Sequence, residues 1–264
     1  MPPEYDSEFF VPSRPRIIAH RGASGEYPEN TLAAFRAAAE AGAPYFELDV
    51  HATRDGVIVV SHDAELSRTC GIDAAIAEMT SAELARADAG WGFSVSGSGE
   101  FPFRGRGHRV PTLEEVFAAF PRHRYIIEVK QSEPSLIVPL LEVIQRSGMR
   151  RRALIASEHQ APIDEVRALA PDIPTGFPSA EVAGFMKAMA PEGEPFRPRG
   201  AALQIPSEYE SWRLVTPQSV AAAHRMGVEV HVWTVNELAE MRALLALGVD
   251  GILTDYPARL AALL

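Results

Sequence analysis

Seven ionisable side chains fall at short intervals inside otherwise apolar, β-branched sequence. His20 and Arg21 close the run RIIAH, and Glu47 and Asp49 lie two apart in YFELDV. His62 closes VIVVSH, while Glu128 and Lys130 lie two apart in YIIEVK. Residues two apart on an extended chain point to the same face. A carboxylate in such sequence is costly to bury unless a cation or hydrogen bonds compensate it. One reading is therefore structural, with ion pairs such as Glu128 with Lys130 or Arg21. The other is convergence on a site, and three acids, two histidines and two cations together favour it. Three carboxylates with no thiol among them suit a hard divalent ion, and oxygen-only ligation favours Mg2+ or Ca2+ over Zn2+. Histidine ligation to zinc or iron is the alternative, although the spacing matches no HxxxH pattern.

The elements that must carry these residues alternate. Extended runs are expected at Arg16–His20, Tyr45–Val50, Val57–His62, Tyr125–Lys130, Ala153–Ser157, Ile173–Phe177, Ala201–Ile205, Val228–Thr234 and Gly251–Thr254. Between them lie amphipathic runs: Thr31–Gly42 with Asn30 as its N-cap, Thr112–Phe120, Leu136–Ser147, Pro162–Ala170, Ala180–Ala190, Pro217–Met226, Glu237–Leu247 and a closing helix from Pro257. Strand–helix alternation implies a parallel sheet, with about eight βα units and one extra extended stretch. His20-Arg21-Gly22 follows the first strand where a dinucleotide fold would carry GxGxxG, so a (β/α)8 barrel of the TIM type is favoured over an open sheet. In such a barrel the strand ends named above share the catalytic face. Ala87–Arg109 and Pro191–Gly200 read as irregular loops too short to be domains, so residues 1–264 are expected to form one barrel domain.

Composition narrows the partners. The chain has 264 residues, 47% of them apolar, and a formal charge of −10, which disfavours a nucleic-acid surface. A small phosphate-bearing substrate is still compatible, since a few cations or a metal can dominate one pocket. The lone Cys70 fits a reducing compartment, and neither a signal-peptide run nor a membrane-length apolar run is present, so a cytoplasmic protein without stable membrane insertion is expected.

The segment from His20 to Thr69 resembles the N-terminal signature of the glycerophosphodiester phosphodiesterases. HRG at His20–Gly22, PENT at Pro28–Thr31, ExD at Glu47–Asp49, DG at Asp55–Gly56 and HD at His62–Asp63 occur in order. PTLEEVF, ExK at Glu128–Lys130, VWTVN at Val232–Asn236 and GILTDYP at Gly251–Pro257 continue it. The resemblance implies hydrolysis of glycerophosphodiesters to glycerol 3-phosphate and an alcohol. It implies His20 and His62 as the acid/base pair, and Glu47, Asp49 and Glu128 around a divalent cation. Arg21 and Lys130 would contact the phosphate and Trp233 would wall the glycerol pocket. Cys70 and the stretch Ala156–His159 depart from the pattern and bear on substrate fit.

Other readings stay beside this one: a lysophospholipid substrate, a barrel aldolase or isomerase with Lys130 as Schiff base, and a non-catalytic barrel that binds glycerophosphodiesters. His51, His108, His123, His159 and His224 have no acidic or strand-end company and are read as surface or packing residues. His231 shares a face with Trp233 and is placed inside the barrel. Trp233 itself, and Phe93, Phe101 and Phe103 in the insertion, have packing as the plain alternative.

Overall fold

The computed structural model describes residues 5–94, 99–190 and 192–264. The described residues form ten strands: β1 (Arg16–His20), β2 (Tyr45–Ala52), β3 (Ile58–Val60), β4 (Arg124–Val129), β5 (Ala153–Ala156), β6 (Ala202–Pro206), β7 (Glu208–Tyr209), β8 (Trp212–Arg213), β9 (Glu229–Trp233) and β10 (Gly251–Thr254). Seven pair in parallel in the order β5-β4-β2-β1-β10-β9-β6. The ring is closed by single bridges from Thr175 to Ile155 of β5 and from Gly176 to Ala202 of β6. The fold is thus the expected TIM-type barrel, with its eighth strand reduced to two bridging residues. Pro174 and Pro178 flank that strand and can donate nothing to the ladders, which keeps it short.

The extra extended stretch is β3, which folds back antiparallel on β2 (Val50 opposite Val60) and stands outside the ring. Helices follow the ring strands, and their termini agree with the sequence reading to within a few residues. One cap differs. Thr31, not Asn30, caps helix Leu32–Glu40, accepting a hydrogen bond from Ala34 N. Asn30 instead takes a left-handed φ of 58° and turns its amide to the barrel mouth. Ala87–Arg109 carries no helix or strand among its described residues, and neither does Pro191–Gly200; Val95–Ser98 and Pro191 themselves lie outside the description.

Period-two alternation sorts the strand side chains into an outward set beneath the helices and an inward set stacked in layers. Outward residues such as Phe46, Ile127 and Ile155 pack with Phe35, Val116, Phe117 and Leu140. On the other half of the ring Leu203, Ile205, Val230 and Val232 pack with Val220, Met241 and Leu244. Inward residues Ile18, Tyr45, Ile126, Leu154 and Leu253 form a separate apolar layer closed by Phe9, which is fully buried. Phe9 lies in the turn Glu8–Phe10, meets Tyr45 edge-on at 5.1 Å and accepts the Tyr45 hydroxyl through its carbonyl at 2.6 Å. The segment before β1 therefore stoppers the lower end of the barrel.

Near that end a buried charge is fully matched. Arg16 donates to Glu229 through Nε (2.8 Å) and Nη2 (2.7 Å) and also bonds Tyr45 Oη. His231, completely buried as expected, contacts Glu229 at 3.0 Å. Burial opposes the Glu229 charge, but Arg16 and His231 outweigh it and hold the carboxyl down at about 2. Replacing Arg16 by Leu strands that carboxylate, and urea unfolding should show a loss of about 3–5 kcal/mol.

Candidate active site

Residues one or two steps beyond the apolar layer end the inward rows, so β1, β2, β4 and β10 deliver polar groups to one mouth. His20 is in register with Glu47, and Asp49 with Glu128, across adjacent parallel strands. One oxygen each from Glu47, Asp49 and Glu128 lies within 4.8 Å of the others, a spacing that one divalent cation can span. Glu47 and Asp49 are buried, and Glu128 is half-buried.

The ion pairs of the structural reading are present as well. Lys130 Nζ lies 2.9 Å from Glu128 Oε1 and 3.3 Å from Asp49 Oδ1, and Arg21 Nε lies 3.2 Å from Asp49 Oδ2. They do not exhaust the acids. Asp49 Oδ1 is buried without a directed hydrogen bond among the described residues, so its Lys130 contact is an ion pair alone. Burial, reinforced by the charge of Asp49, pushes the Glu47 carboxyl up to about 8. For Asp49, burial is outweighed by Arg21 and Lys130, which keep it ionised. Two cations thus face three acids, and the surplus falls on Glu47.

Each histidine is oriented by a carboxylate. His20 Nδ1 meets Asp255 Oδ1 at 2.7 Å, and His62 Nδ1 meets Asp63 Oδ1 at 2.7 Å. An ionised carboxylate only accepts, so Nδ1 carries the hydrogen and Nε2 is the nitrogen left for proton exchange. His20 Nε2 lies 3.9 Å from Glu47 Oε2. Burial works against charge on His20, yet Asp255 and Glu47 raise its pKa above the ordinary value. Asp255 is in turn held by Ser24 Oγ (2.8 Å) and Asn236 Nδ2 (2.7 Å).

The loop after β1 fits around this cluster for two local reasons. Arg21 turns back at φ 56°, letting its amide donate to the Glu47 carbonyl (3.0 Å) and to Glu47 Oε2 (3.1 Å). Gly22 follows at φ 84°, where a Cβ would sit 2.6 Å from the Ala34 carbonyl carbon. Only glycine meets both the left-handed backbone and that close approach. Asn30 Nδ2 completes the loop's grip with a 2.9 Å bond to Asp49 Oδ2. Trp233 ends β9 at the same mouth and is 43% exposed, so it is a rim residue rather than core.

All the site residues inferred from the sequence thus lie at one end of the barrel, and several further contributors join them. Asp255 sits within GILTDYP and Asp63 within HD, but nothing in their spacing marks them as histidine partners. His51, read above as surface or packing, is buried and bonds the His62 carbonyl at 3.1 Å; its place two residues after Asp49 on β2 could have signalled this. His224 also has acidic company, Asp250 at 2.7 Å, because the helix before β9 returns it to the lower end. His123 does pack, stacked on Phe46 at 4.3 Å.

Residues 20–259 match the profile of the glycerophosphoryl diester phosphodiesterase family. The glycerophosphodiester phosphodiesterase of Caldanaerobacter subterraneus subsp. tengcongensis is 30% identical over 91% of this chain and 94% of its own. The Mus musculus lysophospholipase D GDPD1 is 29% identical over 93% of this chain and 84% of its own. Among solved structures, an Oleispira antarctica phosphodiesterase in complex with the product sn-glycerol-3-phosphate superposes with a TM-score of 0.77 at 28% identity, covering 94% of this chain and 96% of that one. The chain belongs to the glycerophosphoryl diester phosphodiesterase family, a family of phosphoric diester hydrolases.

Proposed function

We propose that residues 1–264 act as one barrel domain that hydrolyses glycerophosphodiesters to glycerol 3-phosphate and an alcohol. The observation that carries this reading is the Glu47–Asp49–Glu128 cluster, faced by two cations and flanked by two carboxylate-oriented histidines. The donor set fits Mg2+ or Ca2+: all oxygen, with Asp49 Oδ1 lacking a directed partner and Glu47 destabilised as a lone anion. Such a cation, when bound, supplies charge that offsets the anionic phosphodiester.

The chain's own groups account for the rest. Arg21 can grip two non-bridging oxygens and Lys130 adds a point charge, which together orient the phosphate and offset its growing negative charge. One histidine Nε2 takes the proton of the attacking oxygen as the new P–O bond forms: that of water, or that of the substrate's glycerol hydroxyl with water opening the resulting cyclic diester in a second displacement. The other gives a proton to the bridging oxygen as the old P–O bond breaks. Asp255 and Asp63 keep both rings turned for this exchange and stabilise whichever is protonated. Trp233 walls the glycerol side of the mouth.

A lysophospholipid is a second reading of the same chemistry. It is favoured by the similarity to the mouse lysophospholipase D and by the exposed Tyr209 and Trp212 on the hairpin that follows β6. Release of choline from lysophosphatidylcholine, set against glycerol 3-phosphate from glycerophosphocholine, separates the two.

With glycerophosphocholine as substrate, EDTA should abolish release of glycerol 3-phosphate and added Mg2+ or Ca2+ should restore it. His20→Ala and Glu47→Gln should each lower kcat by about 10²–10⁴-fold, the range of general acid–base and charge-stabilising groups. Metal-independent turnover, or full activity in either variant, would remove the proposed roles.

A pH dependence follows from Glu47. Its folded pKa lies above the unfolded value, so its contribution to stability is complete below the unfolded value near 4.5 and is lost as pH rises through about 8. A cation that binds the ionised carboxylate reverses that loss. The rise in Tm on adding Mg2+ or Ca2+ should therefore grow between about pH 5 and pH 8. In Glu47→Gln that pH-dependent increment should disappear.

A further inference from the structure

Arg68 belongs to neither the acid cluster nor the histidine pair, yet it joins them. Its Nη1 and Nη2 donate to both oxygens of Glu29 at 2.7 Å each, and its Nε donates to Asp63 Oδ2 at 2.6 Å. Each carboxylate has a second engagement inside the site. Glu29 accepts from Arg21 Nη1 at 3.2 Å, while the other oxygen of Asp63 holds His62 Nδ1. A continuous path therefore runs Asp49, Arg21, Glu29, Arg68, Asp63, His62.

Three features mark this guanidinium as more than a surface charge. Exposed ion pairs contribute little to stability, and Arg68 is half-exposed, so stability alone explains little of so directed a contact. The planar fork uses three of its donors at once, which an ammonium cannot imitate. The backbone under it is also braced. Gly92 donates to the Thr69 carbonyl at 3.0 Å, and a Cβ on Gly92 would lie 2.0 Å from the Arg68 carbonyl oxygen. The irregular insertion thus presses on the turn that carries Arg68. Its partners stay ionised: Arg68 and His62 hold Asp63 at about 2 against its partial burial.

We propose that Arg68 is a positioning residue for phosphodiester hydrolysis, fixing Arg21 and His62 relative to each other by gripping Glu29 and Asp63 together. Arg21 lies in the loop after β1 and His62 just after β3, two segments that no strand pairing joins directly. Arg68 is the cross-tie that sets their separation. The inference rests on the roles proposed above for Arg21 and His62.

The test is steady-state kinetics of the full chain on glycerophosphocholine with the activating cation, comparing wild type, Arg68→Ala, Arg68→Lys, Asp63→Asn and the Arg68→Ala/Asp63→Asn double variant, with melting curves for each. Arg68→Ala should lower kcat/KM by about 10- to 100-fold, the usual cost of an outer-shell partner. The loss should be split between kcat, through His62, and KM, through Arg21, with little change in Tm. Arg68→Lys should not recover it, whereas millimolar guanidinium should partly rescue Arg68→Ala. The double variant should lose less than the product of the single losses, because both act on one path. Wild-type kcat and KM in Arg68→Ala would overturn the proposal, as would a loss that follows a lowered Tm and resists guanidinium. An inactive wild type would instead sink the reading of the site on which the proposal rests.

Discussion

Burial of Asp49 is the constraint around which the upper half of the barrel is arranged. A fully buried carboxylate must find compensation, and a single partner would not suffice beside Glu47 and Glu128. Two segments answer that demand. The loop after β1 contributes Arg21 and Asn30, and the end of β4 contributes Lys130. Meeting that requirement gathers a guanidinium and an ammonium at one mouth, beside the β3 arm that the Asp49 backbone carbonyl pairs through Ser61 N. Electrostatic necessity and the chemistry of a phosphodiester therefore select the same residues.

The two ends of the barrel treat charge in opposite ways. At the lower end Arg16 and His231 match Glu229, whose carboxylate is strongly favoured as an anion. At the upper end Glu47 is disfavoured as an anion, and Asp49 Oδ1 has no directed bond among the described residues. The same period-two rows run through both layers, separated by Ile18, Ile126, Leu154 and Leu253. That apolar layer keeps the two networks out of hydrogen-bond contact, so each set of charges is matched by its own neighbours.

Much of this was legible in the residue order. The barrel followed from strand–helix alternation, and the site from acids two apart in apolar strands, because period two is a local property of an extended chain. Three things were not legible, each for a non-local reason. Thr175–Gly176 pairs on both sides, but flanking prolines truncate what a propensity reading extends to Ile173–Phe177. Thr31 takes the cap because Asn30 is drawn away by Asp49, a contact across 19 positions of sequence. The His20 partner Asp255 lies 235 positions away and depends on which loops meet above the ring. An aspartate in a loop carries no period that announces this.

The stopper at the lower end sets an order of events for the growing chain. Phe9 is made before every strand, but the layer that receives it includes Tyr45, Ile126, Leu154, Ala202 and Leu253. Its neighbours tie down over similar spans, with Ser7 bonding the Arg151 carbonyl and Glu8 pairing with Arg152, each across 144 positions. This segment, which precedes every described strand in the chain, completes its contacts only once strands from both halves have curved into place. Seating Phe9 reports that the ring has closed.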